Sequence, residues 1–209
     1  MPNWVTTEIK IRGKAEDLAA FVKKHIVTQK YETGSSEDIL DFETVIPSPK
    51  TVKECPVQYV IMDREEARER CLAWDEDNPM KWFDWYHWSI NNWGTKWNSS
   101  NTSYPEADSI LAQGSTEIEI WVDTAWSPAT PVYEKLQEMY PNLKIDVYYG
   151  DEGGFFVGHL HSDGEDEYYN GNYSRPAPKA ICDEIGMEYL YEDADDDEED
   201  EDDEKGGVC

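Results

Sequence analysis

Near the end of the chain, "HLHSDGED" has the residue types and spacing that metal chemistry needs. His159 and His161 stand two apart on a segment that reads as a strand, so both imidazoles share one face, and Asp163 follows in the turn. Two imidazoles and a carboxylate can ligate a transition ion. No further ligand can be picked out, and strand histidines facing solvent are common, so the expectation is no metal and no cofactor. His25 and His87 are isolated. The chain has no GxSxG, no Cys–His arrangement and no glycine loop built to cradle phosphate, and the glycines of "DEGGFF" fit a hairpin turn. Carboxylates are too plentiful for one pair to stand out as acid and base. The reading is a protein that is not an enzyme; a metal-dependent hydrolase would need His159 and His161 to meet two further ligands in space.

A second feature is "WFDWYHWSINNWGTKWN", residues 82–98, with five tryptophans. Large aromatics most often pack cores. On that reading Trp85, Trp88, Trp93 and Trp97 clamp a helix onto a sheet, with Trp126 and Pro128 as partners. The alternative makes some rings an exposed platform for a ligand or partner. The residues singled out for that role are Trp93, Lys96, Trp97, Asn98 and Trp126, with Lys96 and Asn98 expected to project from the corner.

Charge constrains the partners. Asp and Glu number 46 against 18 Lys and Arg, a net charge of −28. Residues 192–204, "EDADDDEEDEDDE", hold 12 of the acids and no base, and residues 1–191 retain 34 acids against 17 bases. Direct binding to nucleic-acid phosphates needs a basic surface and is therefore disfavoured. A basic protein partner is favoured. The acidic run reads either as a disordered solvating extension or as a nucleic-acid mimic, in which Asp195, Asp196, Asp197, Glu198, Glu199, Asp200, Glu201, Asp202, Asp203 and Glu204 occupy a basic groove. Cys55, Cys71, Cys182 and Cys209 show no zinc or CxxC spacing and read as reduced thiols. With no apolar run of membrane-spanning length and no signal-like start, the expected setting is the cytoplasm, with no membrane partner.

The elements that position these residues follow from periodicity. Residues 4–12 alternate Val5, Thr7, Ile9 and Ile11 as a strand, and residues 15–26 carry Leu18, Phe21, Val22 and Ile26 at helical spacing. Residues 39–46 read as a second strand, ended by Pro47 and Pro49. Asp63 and Glu66 form a capping pair opening a helix, and a further helix is placed over 80–93 with Gly94 as its cap. "GTKWNSSNTS" reads as a loop, 115–126 as a strand, "SPATPVYEKLQEMYPN" as a helix with Pro131 at its start, and 143–162 as a hairpin. Residues 165–173 extend the sheet, "PAPKAICDEIG" is a short helix and "MEYLYE" a last strand. The order is β-α-β, a helical insertion, then β-α-β-β. This predicts an α+β fold, a ferredoxin-like split βαβ antiparallel sheet with a Trp-rich helical insertion between its halves. The domain covers 1–162 with the insertion at about 63–98, an extension packed on it covers 163–191, and a disordered acidic tail covers 192–209.

Specific wording adds to this. "MPNW", "IPSP", "WSINNWGTKWN" and "DTAWSPATPV" together resemble the Api-like family of ferredoxin-like-domain proteins from phages, plasmids and genomic islands. The best-marked blocks are Trp88–Asn98 and Thr124–Pro131, and the resemblance spans about residues 1–160. It implies the fold and a mobile-element setting in a bacterial host, and no catalytic residues. The resulting expectation is a phage or mobile-element inhibitor of a basic, nucleic-acid-binding defence protein. The alternative is a small-ligand binder, for a nucleotide signal, with a pocket where Trp93, Lys96, Trp97 and Trp126 converge.

Overall fold

Strand β1 (Trp4–Arg12) buries Val5, Thr7, Ile9 and Ile11 on one face, as its alternation predicts. It is the centre of the fold. The computed structural model describes residues 3–49, 58–61, 65, 80–83, 85–170 and 177–189, with backbone alone for 58–61 and 80–83. After helix α1 (Ala15–His25) come β2 (Ile26–Lys30), β3 (Ser36–Leu40) and a single 3-10 turn at Phe42–Thr44. Strands β4 (Gln58–Ile61) and β5 (Met80–Phe83) pair with one another, and helix α2 (Trp85–Trp93) follows. The remaining elements are β6 (Ser100–Ser103), α3 (Ala107–Gln113), β7 (Glu117–Ala125), α4 (Thr130–Met139), β8 (Lys144–Asp151), β9 (Phe156–Leu160), β10 (Asp166–Asn170) and α5 (Lys179–Glu184).

The main sheet has the order β10-β9-β8-β1-β7-β6 and every neighbouring pair is antiparallel. β7, α4 and β8 form a split βαβ unit: β7 and β8 run parallel to each other with β1 between them, registered Ile9↔Ile120 on one side and Ile9↔Val147 on the other. The inner face packs Ile9, Ile11, Ile118, Ile120, Val122, Ile145 and Val147 against Leu18, Phe21 and Val22 of α1 and Val132, Tyr133 and Leu136 of α4. The outer face is covered in part by α5, where Ile181, Cys182, Ile185 and Met187 meet Val157.

Several sequence expectations are corrected. The strand predicted over 39–46 ends at Leu40, and Asp41 caps the 3-10 turn by accepting from the Glu43 N–H, so β2 and β3 form a ribbon apart from the main sheet. The helix predicted over 80–93 starts only at Trp85, because 80–83 pairs as a strand with 58–61. The predicted loop after Gly94 contains β6, and α3, for which no element was expected, follows it. Residues 187–189 of the predicted last strand form no strand. The capping pair Asp63 and Glu66, all but Glu65 of the helix it opens, and the whole acidic run 192–204 lie outside the described residues. Within them, no helix is long and apolar enough to cross a membrane. Cys182 is a buried free thiol.

Candidate functional site

The two motif blocks fold against each other. Gly94 ends α2 with φ +79°, a conformation that L side chains rarely adopt, and a Cβ there would stand 2.8 Å from Pro131 Cδ and 3.1 Å from the Pro128 carbonyl. The Thr95 hydroxyl donates to the Ala125 carbonyl at 2.8 Å, and the Ser127 hydroxyl donates back to Gly94. The Trp93 indole donates to the Ile46 carbonyl at 2.9 Å, which ties the "IPSP" segment to the same corner. "NWGTKW" and "TAWSPATP" are thus the two sides of one joint.

The tryptophans divide between the two uses. Trp88 and Trp93 are buried and meet edge to face at 5.3 Å, with Phe42 edge-on to Trp93. Trp85, Trp97 and Trp126 are exposed, by 43, 39 and 57%. The clamp reading therefore holds for two of its four rings, because the short α2 turns only one face to the core and Trp97 lies in the loop beyond Gly94. Trp85, Trp88, Trp93, Lys96, Trp97 and Asn98, with Glu43, Ser48 and Ser89, line a cleft of about 190 Å³. Lys96 Nζ sits 4.4 Å from the Trp97 ring centre and 5.7 Å from that of Tyr86, a cation–π placement. Trp126 does not line this cleft. Its φ of +76° places a bulky residue in the left-handed region, at a cost of about 1–2 kcal/mol.

Asn98 is turned inward instead of projecting. Its Oδ1 accepts from the Phe42 N–H (2.9 Å) and the Ser99 N–H (3.0 Å), and its Nδ2 donates to Asp41 Oδ1 (2.7 Å). It therefore holds the β3 end and the 3-10 turn to the tryptophan loop. Asn98→Ala leaves the Phe42 N–H without its acceptor and is expected to cost about 1–3 kcal/mol, read as a lower urea midpoint. Asn98→Asp, which keeps the acceptor but faces the Asp41 carboxylate, is expected not to restore it.

The outer face of the sheet holds a polar constellation that sequence reasoning saw only in part. Asp146, His159 and His161 present ligand atoms within 4.8 Å of one another, and Asp163 is not in the group. Tyr148 stacks on His159 at 3.9 Å and the two imidazoles lie 3.6 Å apart. Burial, then His161, pulls His159 below its ordinary pKa, against the opposing pull of Asp146. Beside them, Glu8 is 2% exposed, with one buried carboxylate oxygen that has no hydrogen-bond partner. Burial pushes its pKa up to about 7, against the attraction of Lys10 at 3.6 Å. Lys10 also pairs with Glu184 of α5 and lies 5.7 Å from the Tyr148 ring. Arg12 pairs with Glu117 and Asp146. The strand register was the available signal for Asp146: with Tyr148 opposite His159, the next outward position on β8 faces His161.

An antiparallel sheet with a split βαβ core and helices packed on it defines a ferredoxin-like α+β domain. Residues 92–175 match the family described as the ferredoxin-like domain in Api92-like protein. The match runs from the end of α2 past β10, so it includes both the tryptophan joint and the outer-face histidines. No curated protein and no solved structure matches the chain.

Proposed function

We propose that this chain is a non-enzymatic binding protein of a phage or other mobile element. It engages a basic, nucleic-acid-binding defence protein of a bacterial host in the cytoplasm, presenting carboxylates where that partner receives phosphates. The observation that carries the reading is the charge: −28 overall, with 12 acids in the 13 residues 192–204. Such a surface mainly speeds association and weakens with salt. The aromatic corner adds an apolar anchor. Its cleft of about 190 Å³ is smaller than the roughly 300–1,000 Å³ of small-molecule pockets, so it suits one side chain of a partner better than a whole nucleotide. Exposed Trp85 and Trp97 in its lining are the residue type that dominates interface hot spots.

One observation favours a small anionic ligand instead, namely Lys96 beside the exposed Trp97 ring at the mouth of the cleft. A single experiment separates the two. Host-lysate proteins are captured on the full chain and on a chain ending at Tyr191, at low and moderate salt, with duplex DNA as competitor. The expected result is a basic nucleic-acid-binding protein held by the full chain and released by DNA and by salt. Loss with the tail assigns the mimicry to 192–209, and retention assigns it to the folded body. Recovery of no basic protein overturns the proposal; saturable binding of a nucleotide that is lost in Lys96→Ala then supports the second reading.

A further inference from the structure

The geometry points to a divalent transition-metal site of the zinc class on the outer face of the sheet, with Asp146, His159 and His161 as its ligands. It is independent of the acidic binding surface proposed above. The groups reach one place from two neighbouring strands and the residue that follows β9. Asp146 lies on β8 and His159 on β9, with His161 just past its end, and their ligand atoms all lie within 4.8 Å of one another.

One separation and two orphaned nitrogens carry the argument. His159 Nε2 lies 3.6 Å from Asp146 Oδ1, and His161 Nε2 lies 3.3 Å from Glu167 Oε1. Neither pair makes an aligned hydrogen bond, and both imidazole nitrogens are shut off from solvent without a hydrogen-bond partner. A neutral imidazole nitrogen left so is an anomaly in a folded protein. Ligand bonds of about 2.0–2.2 Å in a tetrahedral zinc site place neighbouring ligand atoms roughly 3.3–3.6 Å apart. The His159–Asp146 separation falls at that spacing and His161 lies in the same 4.8 Å cluster, so one shared ion would satisfy both orphaned nitrogens. His159 is only 9% exposed, so water is a poor substitute.

The surroundings hold the donors in place. Asp146 Oδ1 accepts from the Ser162 N–H at 3.0 Å and Oδ2 from Arg12 at 3.0 Å, while Tyr148 fixes the plane of His159 by stacking. Such outer contacts orient metal ligands. The Arg12 charge opposes a cation, but it is shared with Glu117. Imidazole with carboxylate selects zinc, cobalt or nickel over magnesium or calcium, which prefer oxygen alone.

The test is a titration of the full-length, chelator-treated protein with Co²⁺ and then Zn²⁺. The expected result is one equivalent bound, with visible cobalt bands of tetrahedral or five-coordinate intensity that zinc abolishes. The oxygen-only acidic run does not give such bands. His159→Ala with His161→Ala is expected to weaken binding by more than about 100-fold, beyond the loss typical of an outer-shell contact. Asp163→Asn is expected to leave it unchanged. In the unaltered protein, zinc is expected to shift the imidazole NMR signals of two of the four histidines, which keeps the test valid if the double variant does not fold. Absence of cobalt bands, a thiolate-to-cobalt band that places the ion on cysteine, equal affinity in the folded double variant, or zinc shifts at His25 or His87 would each overturn the site.

Discussion

Trp88→Ala is expected to destabilise the protein by about 3–5 kcal/mol, the range for truncating a fully buried aromatic. Trp88 is 1% exposed and belongs to the main core with Trp93, Ile110 and Val132. Its ring is the floor of the aromatic cleft and the edge-to-face partner of Trp93. Removing it forfeits the transfer energy of the indole and leaves a cavity that the short helix α2 cannot close. Against a typical total stability of about 5–15 kcal/mol, this loss is a large fraction. Trp88→Phe is expected to cost much less than Trp88→Ala, since the indole N–H it deletes has no partner. Urea titrations followed by circular dichroism measure both. A loss under about 1 kcal/mol for Trp88→Ala would show that α2 is not anchored through this ring.

Glu8→Gln is expected to stabilise the protein at alkaline pH and to change little at pH 5. The Glu8 carboxyl has its pKa pushed from 4.5 up to about 7, chiefly by burial, with Glu119 and Glu184 adding repulsion. A carboxyl whose folded pKa is raised favours the folded state while it is protonated. That contribution is complete below pH 4.5 and is lost as pH rises through about 7. The shift corresponds to at most about 3 kcal/mol. The difference between Glu8→Gln and the unaltered protein should therefore open between pH 5 and 8 and then level off. His25 gives the opposite slope. It is fully buried between Thr44 and Tyr140, and its pKa is pulled down to about 4 by burial and then by Lys24, so its contribution is lost as pH falls from 6.5 through 4. Because that slope is common to both proteins, the difference curve isolates Glu8. A flat difference across this range would mean that Glu8 is ionised in the folded state at neutral pH.

Elements whose pattern is local were legible in advance. The alternation of β1 and β7, the helix opened by Pro131 and the β8–β9 hairpin appear where their residues place them, since side-chain period and turn chemistry act within a few residues. The elements misread are those in which a distant partner overrides the local signal. Trp82 stands at helical spacing from Trp85 and Tyr86, yet Met80–Phe83 pairs with Gln58–Ile61 as a strand. Asp38–Leu40 continues into apolar residues that look like strand, yet Asp41 and Asn98 bend the chain into a 3-10 turn.

The amino-acid sequence by itself determined the charge and the split βαβ order, because these depend on composition and periodicity. Tertiary structure alone decided which rings face solvent, since that depends on how α2 lies on α4 and on the turn at Gly94. It also turned Asn98 inward. Only strand register brought Asp146 to His161 and left Asp163 aside. And only the return of residues 179–187 over the outer face gave Glu184 to Lys10 beside Glu8, on a strand face whose alternation alone would leave it in water. Burial of that carboxylate, and the pH response expected from it, arises from a contact between residues more than 170 positions apart.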